Sequence, residues 1–124
     1  MTWSQRLLSL AFLTTGLLHF LQTRTYETIM PDSIPAHREL VLISGAAEIA
    51  GAVAVAFPRT RPAAGLWLIA LLILVFPANV NMAVHSERFA SIAPALLWAR
   101  LPLQGLLIWW VLRATSARRA APKP

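Results

Sequence analysis

The sequence predicts an all-α protein, a four-helix transmembrane bundle with both termini cytoplasmic, on three observations. Four apolar stretches, residues 7–21, 40–57, 63–84 and 92–112, each approach the ~20 residues a helix needs to cross the hydrocarbon core. They occupy most of a 124-residue chain that is 57% apolar and 13% charged, outside the usual composition of soluble domains. The basic residues punctuate the stretches: Arg6, Arg59, Arg61, Arg113, Arg118, Arg119 and Lys123 fall at one end of a four-span arrangement. Arg24, Arg38, Arg88 and Arg100 fall at the other, accompanied by Glu27, Asp32, Glu39 and Glu87. The positive-inside rule places the richer end, with both termini, in the cytoplasm. A net charge of +6 distributed this way, without a basic patch interleaved with aromatics, excludes nucleic acid as the partner. The lipid bilayer is the expected environment.

The first stretch reads as a retained helix: it closes on His19, Phe20, Leu21, Gln22 and Thr23, with no small-residue cleavage pattern. In the loop over residues 22–39, Pro31 and Pro35 forbid regular helix and favour a compact lid at the outer face, with Tyr26 at headgroup level. The second stretch is rich in Gly, Ala and Ser, and spacings of four such as Ala47 to Gly51 allow helices to approach closely. Packing alone explains these small residues. Phe57-Pro58-Arg59-Thr60-Arg61-Pro62 is a tight turn in which one proline ends a helix and the other sits in the first turn of the next. Pro77 predicts a kink near Leu74 in the third stretch, since proline removes a donor and crowds the preceding turn. Trp98, Trp109 and Trp110 suit a membrane interface. The chain divides into residues 1–113, a single four-helix domain, and residues 114–124, a basic Ala/Pro-rich cytoplasmic tail that anchors topology on anionic lipid.

Glu48 is the sole charge between residues 40 and 57. A carboxylate at bilayer depth costs roughly 2.5–3.5 kcal/mol on insertion scales unless it is protonated, paired or facing water, so its presence calls for a partner. Glu48 lies about nine residues from the outer end of its span, or ~13 Å deep at 1.5 Å per residue. His19 in the last turn of the first helix, Asn79 in the outer half of the third, and Arg100 and Gln104 at the outer start of the fourth share that depth range. With Ser44 they form the candidate buried polar cluster. Asn79 and Asn81 are two apart and face different ways, and Asn79 is the deeper. Such a cluster either fixes helix register or handles a ligand. His19, His37 and His85 lack metal-ligand spacing, and without cysteine the chain forms no disulfide, iron–sulfur or thiol-exchange centre by itself. No metal site and no self-contained catalytic motif is expected.

Gly16-Leu17-Leu18-His19-Phe20, Met30-Pro31-Asp32-Ser33-Ile34-Pro35, Ser44-Gly45-Ala46-Ala47-Glu48-Ile49, the run from Val75 through Pro77, Asn79 and Asn81 to Ala83, and Arg100-Leu101-Pro102-Leu103-Gln104 with Trp109-Trp110 occur in a characteristic order. In that order the chain resembles the DoxX-like family of small bacterial membrane proteins, across everything but the basic tail. The resemblance implies a multi-pass protein of the bacterial inner (cytoplasmic) membrane, a DoxX-like four-helix domain tied to respiratory or thiol-linked redox chemistry. It implies at most a membrane subunit of an oxidoreductase system, supplying a quinone pocket, a proton path or an anchor, with a redox partner protein or a homodimer as the assembly. In that reading Glu48 and His19 exchange protons with the quinone while Arg100 tunes the acid. Two other readings stand beside it: a non-catalytic membrane scaffold or anchor, which predicts no cavity beside Glu48, and a small proton-coupled transporter of lipophilic cations, which predicts Arg100 away from Glu48.

Overall fold

The computed structural model describes residues 1–28, 30–89 and 93–116, and every regular element among them is helical. The elements run α1 (Trp3–Leu21), α2 (Thr23–Thr28), α3 (His37–Val55), α4 (Arg61–Val84) and α5 (Pro94–Thr115), with a 3-10 turn at Ser86–Phe89 before the last. Ile92, at the start of the fourth apolar stretch, and Arg118, Arg119 and Lys123 of the tail lie outside the described residues.

α4 and α5 are long and apolar enough to cross a membrane. Only 22% and 17% of their apolar windows are buried within the molecule, the reverse of a helix hidden in a soluble core. Leu66, Trp67, Ile73 and Leu74 of α4, and Leu103, Leu106 and Trp109 of α5, are exposed. α1 and α3 are also helices of span length, but Gln5, Arg6 and His19 in one and Arg38, Glu39 and Glu48 in the other interrupt their apolarity. Both nonetheless expose large apolar side chains, among them Leu7, Leu10, Leu17, Ile43 and Val53.

The long helices associate most extensively as two pairs, α1 with α3 and α4 with α5. Glycine permits the first pairing: a Cβ on Gly16 would stand 2.9 Å from the Gly45 carbonyl, and one on Gly45 would meet the Gly16 carbonyl at the same distance. The pairs meet at the end holding the start of α1 and the end of α5. There Leu8, Phe12, Ala52, Val55, Leu68 and Val111 form the main core. Ser9 donates to the Ala52 carbonyl at 2.7 Å, Gln5 Nε2 to the Ala114 carbonyl at 2.9 Å, and Trp110 Nε1 to Ser4 Oγ at 2.7 Å. A smaller cluster of Met82, Ala83 and Leu97 closes α4 against α5 at the opposite end.

The tight turn ends α3 at Val55 and starts α4 at Arg61 with Pro62 in its first turn. Thr60 Oγ1 donates to the Ala54 carbonyl and Arg61 Nε to the Val55 carbonyl, both at 2.7 Å, so side chains from the turn satisfy the final carbonyls of α3. Two expectations need correction, the loop without helix and the end of the last helix. The loop is helical over Thr23–Thr28, because Pro31 and Pro35 restrict only the stretch around themselves, and it is irregular from Met30 to Ala36. α4 runs through Pro77 as one helix, and Gln104 Nε2 of α5 donates to the Leu72 carbonyl, in the turn before the proline. α5 runs past residue 113 to Thr115: Ala114 accepts from Gln5, and the buried Thr115 packs over Gly65.

Candidate functional site

At the end away from the main core the two pairs stand apart around a cavity of about 700 Å3. Its lining is mostly apolar, and all six residues of the predicted cluster border it: His19, Ser44, Glu48, Asn79, Arg100 and Gln104. Met30, Pro31 and Ile34 of the irregular loop form its wall at the outer end. Exposed Asp32 ties that loop across the molecule to Arg88 at 3.3 Å, and His37 Nε2 lies 3.0 Å from the Pro31 carbonyl.

One wall is built by α1 and α3. Glu48 and His19 are 8% and 7% exposed, and Glu48 Oε2 lies 3.3 Å from His19 Nε2. Thr15 Oγ1, one helical turn before His19, donates to Glu48 Oε1 at 2.5 Å. The Thr15 carbonyl lies 2.7 Å from His19 Nδ1 and can only accept, so Nδ1 carries a hydrogen. Nε2, the other ring nitrogen, faces the Glu48 carboxyl group. Tyr26 of α2 stacks on His19 with centroids 4.0 Å apart and planes inclined by 20°. Burial, reinforced by the negative charge of Glu48 and opposed by Arg100, raises the Tyr26 phenol above its ordinary pKa. The Tyr26 hydroxyl therefore stays neutral through physiological pH. Ser44 Oγ, one turn from Glu48 on α3, is buried at the cavity without a hydrogen-bond partner.

The facing wall belongs to α4 and α5. Asn79 Nδ2 donates to Gln104 Oε1 at 2.5 Å, and Gln104 in turn holds the Leu72 carbonyl. Asn81 points elsewhere: it is buried and its Oδ1 lies 3.1 Å from His85 Nδ1. Arg100 borders the cavity, but its Nη1 contacts Met82 Sδ at 3.3 Å and it forms no ion pair with Glu48. α5 holds the guanidinium against α4, on the wall opposite Glu48. The acid is balanced by His19 and Thr15 instead.

Two site residues escaped the sequence reading. Thr15 stands one turn before His19, a spacing that puts both on one face, yet threonine is common in such helices. Tyr26, expected at headgroup level, stacks on His19 from α2, which follows α1 after Gln22 alone. Among the described residues no three His, Asp or Glu side chains gather as metal ligands, and the polar groups at the cavity are equipped for hydrogen bonding and proton exchange.

Fold and site together define a class: an all-helical protein with two helices able to cross a membrane and an apolar cavity carrying a buried acid–imidazole pair. Residues 8–115 match the family described as Domain of unknown function (DUF8561), and the chain belongs to that family. No curated protein and no solved structure matches it.

Proposed function

We propose that the chain is a DoxX-like, multi-pass protein of the bacterial inner membrane, a four-helix transmembrane bundle with cytoplasmic termini, that binds a quinone as a component of a redox system. The observation that carries this reading is the buried His19–Glu48 pair, 3.3 Å apart on the wall of a largely apolar cavity of about 700 Å3. Cavities of roughly 300–1,000 Å3 suit drug-sized ligands. A quinone head is flat, mostly apolar, carries acceptor oxygens on opposite edges and takes up protons with electrons. One oxygen meets His19 and the unpartnered Ser44 hydroxyl; the other meets Asn79 and Arg100 across the cavity. Proton exchange at the first oxygen falls to the His19–Glu48 pair. Electrons come from a partner protein with thiol or respiratory chemistry, because this chain has no cysteine. The exposed Ala46 and Ala50 of α3 offer a small-residue face for a homodimer.

The test is equilibrium binding of a ubiquinone analogue to the full chain and to Glu48→Gln and Arg100→Gln, with thermal stability measured on each. The reading expects binding by the parent and at least about tenfold weaker binding by Glu48→Gln at matched stability. No binding by the parent overturns it and leaves the scaffold reading, against which the cavity beside Glu48 counts. Arg100 turned toward Met82 favours the transporter reading, in which a lipophilic cation rather than a quinone competes for Glu48. The presence of Arg100 at the same cavity works against a cation.

A further inference from the structure

The seam between α1 and α5 is closed at one end and open at the other. On α5, Leu103, Leu107, Trp110 and Ala114 recur at i, i+4, i+7 and i+11 and so share a face. The last two reach α1, Trp110 through Ser4 and Ala114 through Gln5. One and two turns outward, Leu107 and Leu103 line the cavity instead, as do Ala11 and Thr15 of α1. Ala11, Thr15 and Leu103 are exposed at this seam, and Leu10 and Leu106 beside them present hydrocarbon outward. The outer end of the cavity, in contrast, is walled by Met30, Pro31 and Ile34, with Asp32 bound to Arg88.

We infer that the α1–α5 seam is a lipid-facing entrance through which the cavity takes a long-tailed amphiphile. Its polar head rests against Thr15, His19 and Glu48, and its hydrocarbon tail lies between Ala11 and Leu103. The inference rests on the reading of the cavity as a quinone site within the bilayer, and adds the route and the tail. Ile43 of α3 and Leu74 of α4 also line the cavity and are exposed, so that side is the competing route, and Ile43→Trp tests it. The α1–α5 side brings an arriving head directly to Thr15, which holds the acid. A short side chain at Ala11 leaves room for an acyl or prenyl chain to remain in place after the head docks.

The experiment uses the full chain in phospholipid vesicles and two probes with the same head, a decyl-tailed ubiquinone homologue and its tailless dimethoxy-methyl-benzoquinone counterpart. Affinity is measured for the parent, Ala11→Trp, Leu103→Trp and Ile43→Trp, each retained only with a melting temperature close to the parent's. The expected result is that Ala11→Trp and Leu103→Trp weaken the decyl homologue about tenfold or more and change the tailless probe by less than about threefold. The inference is overturned if both seam variants bind the decyl homologue as the parent does, if they weaken both probes equally, or if only Ile43→Trp weakens it. If neither probe binds the parent, the quinone reading itself has failed. Tailless binding with an indifferent seam leaves that reading intact and removes only the entrance.

Discussion

At the residue scale the site depends on how a nearly buried carboxyl group is tolerated. Glu48 has two neighbours on α1, His19 at 3.3 Å and Thr15 at 2.5 Å, and they act as a unit because the Thr15 carbonyl also orients the imidazole. A double-mutant cycle with Glu48→Gln and His19→Gln should therefore show a coupling energy of about 0.5–3 kcal/mol in unfolding, whereas pairing Glu48→Gln with Arg100→Gln should give nearly additive effects. Thr15→Val removes the hydroxyl donor while keeping shape, and should cost about 1–3 kcal/mol because the carboxyl oxygen it serves stays buried. Denaturation in mild detergent, monitored by helical circular dichroism, measures both. Tyr26→Phe should retain the stack on His19, and Tyr26→Leu should lose about 0.5–1.5 kcal/mol. Depth along the spans put His19, Glu48, Asn79 and Gln104 within reach of one another from the sequence, because helix rise is fixed at 1.5 Å per residue. Azimuth was less legible: which way Arg100 and Tyr26 turn depends on the rotation of each helix, and that is set by packing between elements.

At the scale of elements, the α1–α3 pair depends on two glycines facing each other. A Cβ on Gly16 meets backbone at Gly45, which cannot yield as a flexible side chain would, so Gly16→Ala should destabilise by about 1–3 kcal/mol. Ala36, immediately after Pro35, caps α3 with φ 56°, a left-handed conformation that alanine adopts at a cost. Ala36→Gly should stabilise the protein by about 0.5–1 kcal/mol, the relief of strain exceeding the entropy lost by glycine. Thermal unfolding of the two variants tests both signs. The four long helices were readable because apolar length and the two prolines of the turn mark them unambiguously. α2 was not, since six residues of Thr, Arg, Tyr and Glu carry no apolar period, and its packing against α1 and α3 is a tertiary matter.

For the whole molecule, the helix directions gather Arg6, Arg59, Arg61 and Arg113 at the main-core end. Trp3 and Trp109 lie under two of these cations, with Arg6 at 5.3 Å and Arg113 at 5.6 Å from the ring centroids. Such amphipathic pairs suit a headgroup layer, which the proposed topology puts on the cytoplasmic side. The chain contains no cysteine, so single cysteines report topology without background. Ser33→Cys should react with a membrane-impermeant maleimide in intact spheroplasts, and Arg59→Cys only after permeabilisation. The reverse pattern would invert the bundle. The cavity would then open in the inner half of the bilayer, with its seam and polar walls unchanged.

The central claim is that a quinone head reaches the His19–Glu48 pair. The most direct measurement is the nitrogen spectrum of histidine-labelled full-length protein in lipid, with His19 assigned through His19→Gln, recorded with and without a saturating ubiquinone homologue. The His19 ring nitrogens should shift on binding while those of His85, engaged with Asn81, do not. A bound quinone that leaves the His19 resonances unmoved would contradict the claim.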